Sequence, residues 1–267
     1  MTILKSMAAI GMSHGGRKNR AMKLNDQLEA SGNWLFRWRS YLPLLLLGLS
    51  LASLRGFKYP GDSRALDLVW ELFASVLGFL GVAIRAYAVG CAAQRTSGRN
   101  VREQVADSLN VTGIYSIVRH PLYVGNSLMW FSVALFAESW SLAIIILLVS
   151  ALYHERIIFA EEAFLERKFG DTFREWAAHT PAVWPKFSLW KPPSLPFEWR
   201  HALQREYHGL FGLVTAFLAV DIASDWFSLH RLELDPVWMS IWLTGLVMFV
   251  VVRILRKRTR LLLVPGR

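Results

Sequence analysis

Arg119, His120 and Pro121, with Tyr115 upstream and Tyr123 downstream, place a guanidinium, an imidazole and two phenols where an apolar run begins at Leu122. Charged side chains beside hydrocarbon are costly unless headgroups, water or a bound polar molecule meet them. A second polar set follows the next apolar run: His154, Glu155, Arg156, Glu161 and Glu162. Two such sets flanking one membrane excursion point to a single polar site at the bilayer surface, with cations on one side and paired carboxylates on the other.

Gly113 and Pro121 favour a turn followed by a helix start, and Pro121 suits a first helical turn, where its missing donor is not needed. The amides of residues 122–124 would then form a site for an anionic group such as a carboxylate. Arg119 and His120 stand just outside it, although an interfacial Arg-His pair reaching to headgroups would use the same residues. In the second set, helical spacing puts His154, Ile158, Glu161, Glu162 and Leu165 on one face. Adjacent acids at a membrane edge are not explained by attraction to anionic lipid, which selects Lys and Arg. Glu166, Arg167 and Lys168 read as ordinary solvated charges. No Cys/His spacing suggests a metal site, and the single Cys91 cannot form an internal disulfide.

These residues need a membrane scaffold. The 267 residues are 54% hydrophobic with 12 Trp and a mean hydropathy of +0.31, more apolar than a soluble domain. Runs of roughly 20 apolar residues predict spans at about 34–54, 66–93, 207–227 and 236–255. Residues 122–160 predict a helical hairpin with Glu138 at its tip. The expected fold is an all-α polytopic membrane bundle of about six spans. Residues 1–33 lack the apolar core of a cleavable signal and read as a mobile basic tail. Of the 30 Lys and Arg, 25 fall in alternate connecting segments against 4 in the others, leaving Arg85 inside a helix. The positive-inside rule therefore puts both termini and both polar sets on the cytosolic side. The net charge of +10 reads as a collar facing anionic headgroups, not as the continuous basic face of a nucleic-acid binder. Glu71 and Arg85, too far apart along one helix to pair, are expected to snorkel. The Pro- and Trp-rich stretch 184–199 reads as an interfacial loop, a wall or a lid.

Gly113, Tyr115, Arg119, His120, Pro121, Tyr123 and Gly125, followed by Glu161, Glu162, Leu165, Phe169, Gly170, Phe173, Trp176, Thr180, Pro181 and Pro185, form an ordered pattern. In it the chain resembles the isoprenylcysteine carboxyl methyltransferase-like family of integral membrane methyltransferases. The resemblance covers about residues 108–186. It implies a cytosol-facing pocket for S-adenosylmethionine, bound through Ser108, Leu109, Tyr115, Arg119, His120, Pro121, Tyr123 and Glu161. His154, Arg156 and Glu162 become the candidates for work on the acceptor, His154 or Glu162 as base if that acceptor is an amine. No Gly-rich nucleotide loop occurs in the chain, so a soluble Rossmann mode of holding this cofactor is unsupported.

The resemblance divides the chain into the tail 1–33, N-terminal transmembrane helices 34–106, a methyltransferase-like core 107–190, and a Pro/Trp-rich loop with two further spans over 191–267. The implied partners are the bilayer and a lipid or lipid-linked acceptor: an anionic lipid group, a prenylcysteine carboxylate or a phospholipid headgroup. Relatives acting on prenylcysteine carry an arginine four residues before the first glutamate, where this chain has Ile157. An NADPH-dependent membrane reductase of a sterol-like or enoyl lipid, a class with a related Arg-His-Pro-x-Tyr pattern, is the rival reading.

Overall fold

The computed structural model describes residues 24–54, 64–93, 96, 106–232 and 234–266. Among them run eight α-helices: α1 (Leu24–Trp38), α2 (Leu42–Ser53), α3 (Arg64–Gly90), α4 (Pro121–Phe136), α5 (Trp140–Phe169), α6 (Asp171–His179), α7 (Trp199–Leu229) and α8 (Pro236–Arg258). The only β pairing among the described residues is one isolated antiparallel bridge, Gly113 with Lys191. The molecule is an all-helical membrane bundle.

By length and composition α3, α5, α7 and α8 can cross a membrane, while α2 and α4 are apolar but short. The six expected spans therefore become four long helices and two short ones. The first expected span, 34–54, is broken: Pro43 stands in the first turn of α2, where its missing N–H ends the continuation of α1. Helix α1 in turn starts within the expected tail. Residues 24–33 lie along α5, and Gly32 abuts the backbone of Arg156 so closely that a Cβ would collide. The first 23 residues lie outside the described part.

Helix α4 packs chiefly on α3. A Cβ on Gly125 would lie 2.6 Å from the Gly81 carbonyl oxygen, and one on Gly81 would meet the Gly125 carbonyl at the same distance. Two bare backbones therefore touch there, the close approach that small residues permit in membrane bundles. On the outer faces, Leu68, Leu72, Val76 and Leu80 of α3 and Ile144, Leu148 and Leu152 of α5 recur every four residues and are at least half exposed. Such stripes suit hydrocarbon, not water.

Inside, Phe136 stacks on Phe217 with centroids 4.8 Å apart and meets Trp238 edge-on at 5.0 Å. These contacts join α4, α7 and α8.

Glu71 and Arg85 do not snorkel. Glu71 accepts a 3.0 Å hydrogen bond from the Trp238 indole. Arg85 makes a two-pronged bond to Glu206, at 2.7 and 2.9 Å, and donates to Asn126 at 2.7 Å. Each residue finds a partner on another helix, which is cheaper than reaching for the interface.

Helix α5 decides where the polar residues sit. Its 30 residues span roughly 45 Å, against a hydrocarbon core of about 30 Å. Counting from the exposed Trp140 at its start, about 20 residues fill the core. Glu161 and Glu162 then fall at its far edge. There the chain turns at Gly170 (φ +55) into α6.

Candidate functional site

The segment before α4 is pinned by the stretch that follows α6. The amides of Arg119 and His120 donate to the carbonyls of Pro181 and Ala182 at 2.9 and 3.1 Å, Lys186 N donates to Ile117 O at 2.9 Å, and Gly113 N to Lys191 O at 3.0 Å. Ser116 Oγ donates to Gly113 O and accepts from Lys191 N at 2.9 Å. The Pro/Trp-rich stretch is thus a strap bonded along one side of the motif, with Trp184 and Phe187 left exposed.

His120 then caps α4 without a side-chain bond, and buried Pro121 opens the helix. The amides of Tyr123 and Val124, expected to be open, both donate to the His120 carbonyl at 3.1 and 3.2 Å. The anion site expected from three free amides is therefore largely consumed by the helix's own first turn.

The two polar sets meet. His120 Nε2 lies 2.9 Å from Glu162 Oε1, and its Nδ1 lies 3.6 Å from Glu161 Oε2. Burial pushes the imidazole toward the neutral form, but hydrogen bonding and charge from Glu161 and Glu162 outweigh it and hold the group above its ordinary value. Arg119 Nε donates to the same Glu162 Oε1 at 2.8 Å. Arg119 Nη1 donates to the carbonyls of Ala177 and Thr180, each at 2.6 Å. Arg119 thereby fastens the C-terminus of α6, whose last carbonyls lack helical partners, to the carboxylate doublet. Tyr123 OH donates to Glu161 Oε2 at 2.9 Å.

A column of four rings runs inward from this cluster. His120 stacks on Tyr123 at 5.7 Å, Tyr123 on His154 at 5.1 Å, and His154 on Trp130 at 4.9 Å. His154 Nδ1 lies within 3.1 Å of Ser127 Oγ and 3.2 Å of Ser150 Oγ. Its Nε2 is buried without a hydrogen-bond partner among the described residues.

The remaining expected residues divide. The Tyr115 carbonyl accepts from the Trp176 indole at 3.2 Å. Burial pushes the Tyr115 phenol up, and the charge of Glu161 adds to that, so the group is a neutral donor. Leu109 packs beside Leu165 and Phe173, while Ser108 is exposed. Arg156 has no ion pair with Glu161 or Glu162 among the described residues; its backbone faces Gly32. Glu162 is already held by both Arg119 and His120, which leaves it poorly placed as a mobile base. Glu161, with its side chain 33% exposed against 24% for Glu162, is the more open of the two.

Arg39 is a residue that sequence reasoning misses. Its guanidinium carbon lies 3.8 Å from the Phe36 ring centroid. Burial pushes this guanidinium down, against the pull of the Tyr123 phenol and the Glu161 carboxylate. Phe36 belongs to a buried cluster with Tyr153 and Ile157. The signal in the sequence is an arginine directly before an apolar run. Arg85 and Glu206 are opposite charges inside two different apolar helices, and their pairing across 121 positions leaves no local signal in the sequence.

The sequence profile described as phospholipid methyltransferase matches residues 100–172. The chain is 36% identical over 157 residues to the nickel-cobalt-cadmium resistance protein NccN of Alcaligenes xylosoxydans xylosoxydans, covering 59% of this chain and 67% of that one. It is 35% identical over 118 residues to the cobalt-zinc-cadmium resistance protein CzcN of Cupriavidus metallidurans, covering 44% and 52% of the two chains. It is 32% identical over 127 residues to the protein-S-isoprenylcysteine O-methyltransferase of Schizosaccharomyces pombe, covering 46% and 54%. The chain therefore spans about half the length of the latter two relatives. No solved structure matches it.

Proposed function

Because this chain belongs to the isoprenylcysteine carboxyl methyltransferase-like family of integral membrane methyltransferases, we propose that it moves a methyl group from S-adenosylmethionine to a lipid or lipid-linked acceptor. The observation that carries the reading is the convergence of His120 with the Glu161–Glu162 doublet in one cluster at the hydrocarbon edge. We place that edge, with both termini, on the cytosolic side, because the basic segments alternate with poorly basic ones along the chain.

The donor set fits a methyl donor that is at once an amino acid and a nucleoside. Glu161 is held from one side by Tyr123 and His120, and a carboxylate has lone pairs for further donors, such as an ammonium or ribose hydroxyls. The buried Nε2 of His154 is a polar atom with no hydrogen-bond partner among the described residues. Glu162, by holding Arg119 and His120 together, positions the imidazole. The donor supplies a sulfonium-activated methyl group; the protein's part is alignment, which can account for much of such a rate. Ser108, Leu109, Tyr115 and Pro121 complete the proposed donor site, by contact and by setting the backbone.

Two relatives are named for resistance to metals. Among the described residues no group of three or more His, Cys, Asp and Glu side chains is placed to hold a metal ion.

The test is transfer of label from methyl-labelled S-adenosylmethionine into the organic-extractable fraction of membranes containing the protein. Transfer by the wild type that is lost in Glu161→Gln supports the reading. Absence of transfer into any lipid fraction, or transfer unchanged by Glu161→Gln, overturns it.

A further inference from the structure

The strap between α6 and α7 serves the site through its backbone, while its largest side chains are left uncovered. From Pro181 to Phe197 it carries five prolines, two lysines and no carboxylate. Trp184 is 84% exposed and Phe187 76%, and Trp190, Phe197 and Trp199 are close to half exposed or more. Lys186 and Lys191 are exposed between these rings. The first acid beyond them, Glu198, is already bonded to Arg200 at 3.0 Å.

The strap lies where hydrocarbon ends. Glu198 N donates to the Gly90 carbonyl at 2.9 Å, which ties the strap to the last residue of α3, and α7 begins at the next residue, Trp199. Phe197 stacks on Tyr87 of α3 at 6.2 Å, and Trp190 approaches the same ring at 6.4 Å. The other end of the strap is bonded to the residues that open α4. Three apolar helices therefore start or stop against it. Indoles settle at that level, with the ring in the acyl boundary and the N–H toward water. So many exposed aromatics in so short a stretch mark a surface that meets something other than water. Lysines with no acid among them select an anionic bilayer, whereas protein interfaces are depleted in lysine.

We propose that the strap is a membrane-surface anchor: Trp184 and Phe187 enter the headgroup layer of the adjoining leaflet, Lys186 and Lys191 hold anionic phospholipid headgroups there, and this grip steadies the segment that presents His120. The link is short. Lys186 N donates to the Ile117 carbonyl and Gly113 N to the Lys191 carbonyl, while Lys191 N donates to Ser116 Oγ. Each lysine offered to a headgroup is thus bonded, through its own backbone, to residues 113–117. The carbonyls of Pro181 and Ala182 hold the amides of Arg119 and His120 in the same way. The prolines take up slack, since each fixes its own φ. The anchor concerns the lipid surface and stands whether or not the chain moves a methyl group.

The test uses the full chain with Cys91→Ser and Ser188→Cys, labelled with the fluorophore NBD at position 188. It is placed in nanodiscs of phosphatidylcholine alone or of a two-to-one mixture with phosphatidylglycerol. Lipids bearing a nitroxide at headgroup level should quench the label, more strongly in the anionic discs, and nitroxides near the chain ends should quench it less. Lys186→Gln/Lys191→Gln should equalise the two compositions. Trp184→Ser/Phe187→Ser should remove most of the quenching in both. Hydrogen exchange reads the coupling. Peptides covering residues 113–120 should exchange roughly fivefold more slowly in the anionic discs, the factor supplied by about one lysine–headgroup contact. That difference should vanish in the double-lysine variant. All four substituted side chains are exposed, so the fold should survive, and thermal unfolding checks that it does. A label unquenched in either composition puts the strap in solvent, as a protein-docking loop would have it, and overturns the proposal. Quenching equal in the two compositions, or exchange over 113–120 indifferent to lipid charge, overturns it as well. If the label behaves as described but S-adenosylmethionine does not bind, the anchor stands and the methyltransferase reading falls.

Discussion

Replacing Glu206 by Gln should be far more damaging than replacing Glu206 and Arg85 together by methionines. In the native protein the Arg85 and Glu206 side chains are 19% and 6% exposed and joined by two short bonds. Removing one partner of a buried ion pair costs about 3–5 kcal/mol, because the remaining charge is left without compensation, whereas an apolar replacement of the whole pair is often neutral. For a domain of this size about 1 kcal/mol corresponds to roughly 2–4 °C in melting temperature. Glu206→Gln should thus lower the apparent Tm by about 6–20 °C. The double variant Arg85→Met/Glu206→Met should recover most of that loss, falling short by the lost bond from Arg85 to Asn126, about 1 kcal/mol. Thermal unfolding in detergent, followed by fluorescence of the protein's 12 Trp, reads both. A double variant as unstable as the single one, or a single variant within about 2 °C of wild type, would refute the claim that these helices are locked by a desolvated ion pair.

The imidazole of His120 gives a pH prediction. Its value in the folded protein is raised by Glu161 and Glu162 against the effect of burial. The resulting stabilisation is complete below the unfolded value of about 6.5 and disappears as pH rises through the higher folded value. The melting-temperature gap between wild type and His120→Asn should be larger at pH 6 than at pH 9; a gap independent of pH contradicts the assignment. At the crossing of α3 and α4, Gly125→Ala brings a methyl group to within 2.6 Å of the Gly81 carbonyl. A loss of about 1–3 kcal/mol is expected from this overpacking, and an unchanged Tm would show that the two backbones are not in contact.

Much of the candidate site is legible in the sequence because membrane chemistry makes polar residues conspicuous. His120, Glu161 and Glu162 stand out as charges at hydrocarbon edges, and they meet, with His120 2.9 Å from Glu162 and 3.6 Å from Glu161. The all-helical membrane class follows from run length and apolar composition. What is less legible depends on partners distant in sequence. Arg85 and Glu71 look like snorkelling residues because nothing local reveals that Glu206 lies 121 positions away or Trp238 167 positions away. The break after α1 is marked by Pro43 but hidden by the leucines around it, since hydropathy averaging does not register a missing donor. The open-amide anion site fails for a local reason: the first turn of α4 uses its own amides on the His120 carbonyl. Arg39 escapes notice because a lone arginine at an interface usually contacts headgroups. Its contact with Phe36 is local, three residues along the same helix end, and it is the packing of α1 on α5 that brings it within the influence of Glu161.

The most direct measurement of the central claim is calorimetric titration of the purified protein with S-adenosylmethionine, alongside Tyr123→Phe and Glu161→Gln, with NADPH as the competing ligand. Tyr123→Phe removes a hydrogen bond to a carboxylate, an interaction worth about 1.5–3 kcal/mol, so affinity should drop roughly ten- to hundredfold. Glu161→Gln should abolish measurable binding, and NADPH should neither bind nor compete. Absence of saturable heat with the methyl donor, or wild-type affinity in both variants, would contradict the account.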